Sequence, residues 1–175
     1  MKPDELEGLN REQRFDALKG MCKSRADLNL CLGLLLLAFI ILAVLTKLGY
    51  YGINGTDIIP FVEFSALGCL VALLALNNYR FHKRADSLST PDQLLNKYEK
   101  TVKNNNKCWL AFVLLIACKD ILTTDFNEKY FWLRWVILFI LIAVAVVLYK
   151  KVLISQRDKE IINALRELTE EEQGN

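Results

Sequence analysis

The sequence predicts an all-α polytopic membrane protein: a four-helix transmembrane bundle with cytoplasmic helical extensions. Three observations carry that prediction. Apolar residues are 53% of the 175 and charged residues 24%, close to a soluble average, yet the apolar residues stand in long blocks with the charges between them. Several blocks approach the roughly 20 apolar residues a helix needs to cross about 30 Å of hydrocarbon. Lysine and arginine concentrate on alternate sides of those blocks. A disordered chain would lack the blocks. A disulfide module is excluded by five cysteines with no framework spacing.

The first span is expected over residues 28–46, which contain LGLLLLAFIILAVL and no charge before Lys47. The second covers 58–76 with Glu63 as its one charge, and the fourth 131–149 with Arg134. The third, 108–126, has a clean apolar run only from Cys108 to Cys118. It crosses only if Lys119 and Asp120 lie inside the membrane, and a re-entrant or interfacial segment is the alternative.

Orientation follows from the flanks. Residues 1–27 hold six Lys and Arg, 78–107 hold seven and 150–175 hold five, which leaves Lys47, Lys119, Lys129 and Arg134. The bias places both termini and the central segment in the cytoplasm, probing inward from a plasma membrane that we expect to be a bacterial inner membrane. The lead of mixed charge and the long block behind it fit a retained anchor rather than a cleaved signal. A net charge of +2 offers nothing to nucleic acid. Membrane lipid is the expected environment, and a protein partner or a homo-oligomer the expected company.

Outside the spans, three stretches read as helix. Phe15, Leu18 and Cys22 recur at helical spacing in the 1–27 tail. In the 78–107 segment, Thr90 caps, Pro91 takes the first position and Gln93 completes a capping box. Leu94, Leu95, Tyr98 and Val102 then form a stripe, and Asn104-Asn105-Asn106 is expected to break the helix before the third span. In the 150–175 tail, Ile154, Ile161, Leu165 and Leu168 form a stripe on a helix expected to continue from the fourth span to about Glu170 and to fray beyond it. Each stripe is too short to hold a helix alone in water. The three either pack on one another or lie in the membrane interface, or they dock a cytoplasmic protein, in which case the 154–168 stripe is the partner-binding candidate. Gln93-Leu94-Leu95-Asn96 is echoed faintly by Glu160-Ile161-Ile162-Asn163.

Four ionisable residues fall within spans: Glu63, Lys119, Asp120 and Arg134. All lie toward the outer leaflet, Glu63 about 7–8 Å in. They form a candidate polar cluster, either neutralising one another and locking the bundle, or lining an outer vestibule for an ion or small polar ligand. Arg134 also has the option of snorkelling beside Trp132 and Trp135.

Little chemistry is supported. His82 is the only histidine, so one chain cannot hold a bis-histidine haem, and a His-based zinc site lacks ligands. No CxxC, P-loop, GxSxG or HExxH is present. The expectation is a protein without catalytic residues, cofactor or metal. It would act by protein–protein interaction as a regulatory, accessory or immunity-type subunit, or alternatively as a small oligomeric transporter or channel using the charged cluster.

Overall fold

The structure is a computed structural model. It describes residues 6, 8–51, 58–123, 136, 139–140 and 156–173, with side chains described over the same ranges except 46–51, 58–63 and 117–123. The described residues are helical and include no strand. Helix α1 runs Arg11–Tyr51, α2 Ile58–Ala85, α3 Pro91–Thr123 and α4 Gln156–Gln173.

The starts of two helices are written locally. Asn10 caps α1: its side-chain oxygen accepts from the Gln13 amide at 2.9 Å, and the Gln13 side chain accepts from the Asn10 amide at 3.2 Å. That reciprocal pair satisfies two donors the helix start would otherwise leave open. At α3, Thr90 Oγ1 accepts from the Gln93 amide at 3.4 Å, with Pro91 at the first position as the sequence implied.

The chain divides into two compact units. The first joins Met1–Leu32, Leu74–Asn105 and Ile154–Asn175; the second joins Gly33–Leu73 and Asn106–Leu153.

In the first unit all four helices close around one core. Leu18 and Cys22 of α1, Phe81 and Ala85 of α2, Leu94 and Tyr98 of α3, and Leu165 and Leu168 of α4 are each 2% exposed or less. The three stripes expected from periodicity thus pack on one another, and α2 supplies a fourth. Cross-helix contacts give the directions. Arg14 meets Glu171 and Arg25 meets Asp158, so α1 and α4 are antiparallel. Asp27 meets His82 and Lys23 meets Asp86, so α1 and α2 are antiparallel. Asn77 meets Asn105 and Phe81 meets Tyr98, so α2 and α3 are too. The unit is an up-down-up-down bundle. The faint repeat occupies equivalent positions in it: Leu94 and Ile161 are buried, as are Leu95 and Ile162, while Gln93, Asn96, Glu160 and Asn163 are exposed.

Two expectations are corrected here. The Asn104-Asn105-Asn106 run does not end a helix: α3 passes through it unbroken. Asparagine disfavours helix by competing with the backbone for hydrogen bonds, but the Asn105 side chain is engaged across the α2–α3 seam, its Oδ1 accepting two bonds and its Nδ2 donating one. The C-terminal tail also stays helical through Gln173, beyond Glu170. Its acids are held by α1, Glu171 by Arg14 at 3.2 Å and Glu172 by Arg11 at 3.3 Å. The stretch linking α4 to the fourth expected span lies outside the described residues.

In the second unit, Leu67 and Val71 of α2 are buried, and Gly68 sits opposite Ile40 of α1. Most of the remaining apolar surface faces outward. Leu34, Leu35, Phe39, Leu42 and Leu45 are each more than half exposed. Two helices are long and apolar enough to cross a membrane, α1 over Arg11–Leu45 and α2 over Phe64–Ala85. In the most apolar stretch of α1 6% is buried, against 33% for α2. In α3 the apolar part with described side chains is Cys108–Ile116. Of the fourth expected span only Val136, Phe139 and Ile140 are described, and all three are exposed.

Candidate functional site

Among the described residues, the most concentrated buried polar chemistry lies inside the first unit. Asp158, in the first turn of α4, is 7% exposed. Its Oδ1 accepts from the Tyr98 hydroxyl at 2.8 Å and from Arg25 Nε at 3.2 Å. Three helices therefore meet on one carboxylate oxygen. Position explains how: Asp158 precedes Ile161 and Ile162 by three and four residues, which puts it on the core face of α4. An acid at a helix start also complements the α4 dipole.

The neighbouring nucleophile is held silent. Burial, and then the Asp158 charge, push the Cys22 thiol far above its ordinary range. The same two causes push the Tyr98 phenol upward. A thiol in that setting is a packing group, not an attacking one. The arrangement fixes α4 against α1 and α3; it does not present a reactive atom.

A second polar cluster joins α2 and α3. Asn105 Oδ1 accepts from Asn77 Nδ2 at 2.7 Å and from Asn78 Nδ2 at 3.2 Å, and Asn105 Nδ2 donates to Asn78 Oδ1 at 2.9 Å. Asn77 Nδ2 also donates to the Thr101 carbonyl at 3.1 Å. Asn78 and Asn105 are buried, so each bond replaces one that water cannot make there. Such an amide ladder fixes the register of two helices, since a slip of one residue breaks every bond in it.

The turn after α2 is clamped to α1. Lys23 Nζ donates to both carboxylate oxygens of Asp86 at 2.9 and 3.0 Å, and Lys19 Nζ donates to the carbonyls of Asp86 and Leu88. The Lys23 bond and charge hold the Asp86 carboxyl below its ordinary range. His82 Nδ1 lies 2.6 Å from Asp27 Oδ1. Among the described residues no group of three or more His, Cys, Asp or Glu could hold a metal ion.

The residues singled out from sequence fall as follows. Ile161, Leu165 and Leu168 are in the bundle core at 2%, 0% and 0% exposure, so this stripe faces the chain's own helices rather than open surface. Ile154 lies outside the described residues. Glu63 belongs to α2 and Lys119 and Asp120 to α3, but their side chains are not among those described; Arg134 lies outside the described residues. The structure therefore brings together Asp158, Tyr98 and Arg25, a group sequence reasoning did not single out. The available signal was Asp158 on the apolar face of an amphipathic helix, where an acid requires a partner.

Compared with known proteins, the chain matches no family model, no curated protein and no solved structure.

Proposed function

We propose that this is an integral membrane protein of the plasma membrane, with four spans and a cytoplasmic four-helix bundle that acts by contact with other proteins. The observation that carries the reading is α1. Within one unbroken helix, residues 11–26 are packed into a bundle, and residues 28–45 present leucine, isoleucine and phenylalanine outward. Lipid accounts for the second stretch; water does not. The Lys and Arg bias supports cytoplasmic termini. The outer connections, about 47–57 and 123–130, are short, which leaves the bundle as the part large enough to meet a folded partner. Its surface suits that role: its apolar stripes close on one another, and α4 presents Arg157, Glu160, Arg166 and Glu167 outward.

Two measurements test this. The full chain should stay with the membrane through alkaline carbonate washing, and release would end the membrane reading. Pull-down in mild detergent should then recover a stoichiometric partner. A pure homo-oligomer that passes ions when reconstituted in liposomes would instead support the transporter or channel alternative, in which Glu63, Lys119, Asp120 and Arg134 form the pathway.

A further inference from the structure

The cations of the bundle are divided unequally. On α1, Arg11, Arg14, Lys23 and Arg25 each pair with an acid, and Lys19 binds two carbonyls. On the α2–α3 side, the side chains of Arg80, Lys83, Arg84, Lys97, Lys100 and Lys103 have no ion pair or hydrogen bond among the described residues. All are exposed except Lys97, which is half-buried.

Helix geometry gathers five of these six. The bond from Asn77 to the Thr101 carbonyl marks where α2 and α3 meet. Arg80 and Arg84 follow Asn77 by three and seven residues, and Lys97 precedes Thr101 by four, so all three lie along that seam. Lys83 and Lys100 flank it, each three residues from a member, while Lys103 lies about 200° around α3 from Thr101 and off this face. The helices are antiparallel, with Phe81 against Tyr98, which sets Arg80 and Arg84 within a turn or so of Lys100 and Lys97. The nearby acids do not neutralise them. Asp86 is taken by Lys23, Asp92 lies five residues before Lys97 in the first turn of α3, and Glu99 lies about 200° around α3 from Lys97, on the side of Lys103.

We infer that the outer face of the α2–α3 pair is a docking surface for anionic lipid headgroups. This rests on the membrane reading above. Charge complementarity gives the partner its sign, and position along the helices gives its identity. Arg80 stands four residues beyond the exposed Leu76, about 6 Å along the axis. Headgroups occupy roughly 5–8 Å outside each face of the hydrocarbon. The remaining four cations fall within about another Debye length, still inside the field of a negative leaflet. Topology signals act during insertion and need no unpaired face in the finished bundle; a lipid-facing surface does.

The test is lysine acetylation of the full chain in two bilayers, one of phosphatidylcholine and one with about a third of it replaced by phosphatidylglycerol, with Lys159 on α4 as the internal reference. In the anionic bilayer Lys83 and Lys100 should react roughly fivefold more slowly relative to Lys159. The protection should vanish in 1 M salt, where screening acts within about 3 Å. R80Q combined with R84Q should reduce it while leaving the lysines to report. Equal rates in both bilayers, or equal protection of Lys159, would overturn the inference. So would protection by soluble glycerophosphate in phosphatidylcholine, which marks a phosphate site, or protection confined to native membranes, which marks a protein. Carbonate retention separates the two failures, because a retained but unprotected protein loses only this inference.

Discussion

Asp158 is where one substitution says most. Asp158→Ala leaves the Arg25 guanidinium and the Tyr98 hydroxyl without their shared acceptor. Breaking a largely buried pair costs about 3 kcal/mol, less here because Arg25 is 26% exposed on its side chain. Tyr98→Phe removes one donor and should cost about 1 kcal/mol. Chemical unfolding of the full chain in mild detergent should rank the two in that order; equal losses would mean the carboxylate contributes nothing beyond the tyrosine bond. Alkali probes the same cluster differently. Cys22 and Tyr98 are held protonated in the fold, well above the ordinary values of 9.0 and 10.0. Above those values the unfolded chain has lost protons the native chain retains, so stability is full below about pH 9 and falls as pH rises through that point. The slope approaches about 1.4 kcal/mol per pH unit for each group. Cys22→Ala should shift the onset to the tyrosine's range, and an unchanged alkaline limb would show that the thiol is not shielded.

At the scale of elements, the seam between α2 and α3 depends on Asn105. Asn105→Ala takes an acceptor from the Asn77 and Asn78 amides and the donor from Asn78 Oδ1, and should cost about 1–3 kcal/mol, whereas Asn96→Ala, on the exposed face, should cost less than about 0.5. Comparable losses at both sites would remove the ladder from the account. Asn105 also shows what was legible in sequence and what was not. The stripes of α1, α3 and α4 could be read because leucine at three-four spacing reports a buried face whatever it meets. The continuity of α3 could not, because the helix-breaking tendency of Asn104-Asn105-Asn106 is local and its remedy comes from a residue 27 or 28 positions away. Phe81 and Ala85 were hidden for a related reason: they are the apolar face of a segment whose arginines and lysines read as the end of a span. Asn10 and Gln13, three apart like Thr90 and Gln93, were an available signal that passed unused.

The whole molecule offers two checks. With native cysteines removed, a cysteine at Ser87 should label from the cytoplasmic side and one at Asn54 from outside. If positions 54 and 127 label from opposite sides, the 108–126 segment does not cross. Removing residues 152–175 should leave insertion intact, since the apolar blocks direct it, but should uncover Leu18, Leu94 and Tyr98. The expected signs are loss of cooperative unfolding and new proteolysis at Arg84 and Lys97. Unchanged protease resistance would mean that α4 does not complete the core.

The pairing of α1 with α4 also sets a timetable for biosynthesis. Arg25 waits for a partner 133 residues later, and Arg14 for one 157 later, whereas Asn77 finds Thr101 after 24. At about 5–20 residues per second on the ribosome, the first helix stands for about 7–30 s without the last. The α2–α3 hairpin can close in that interval because its loop is short, while Leu18 and Cys22 stay open on the side that α4 covers. A chain interrupted before α4 therefore leaves Arg25, Tyr98 and this side of the core without the partners that α4 supplies.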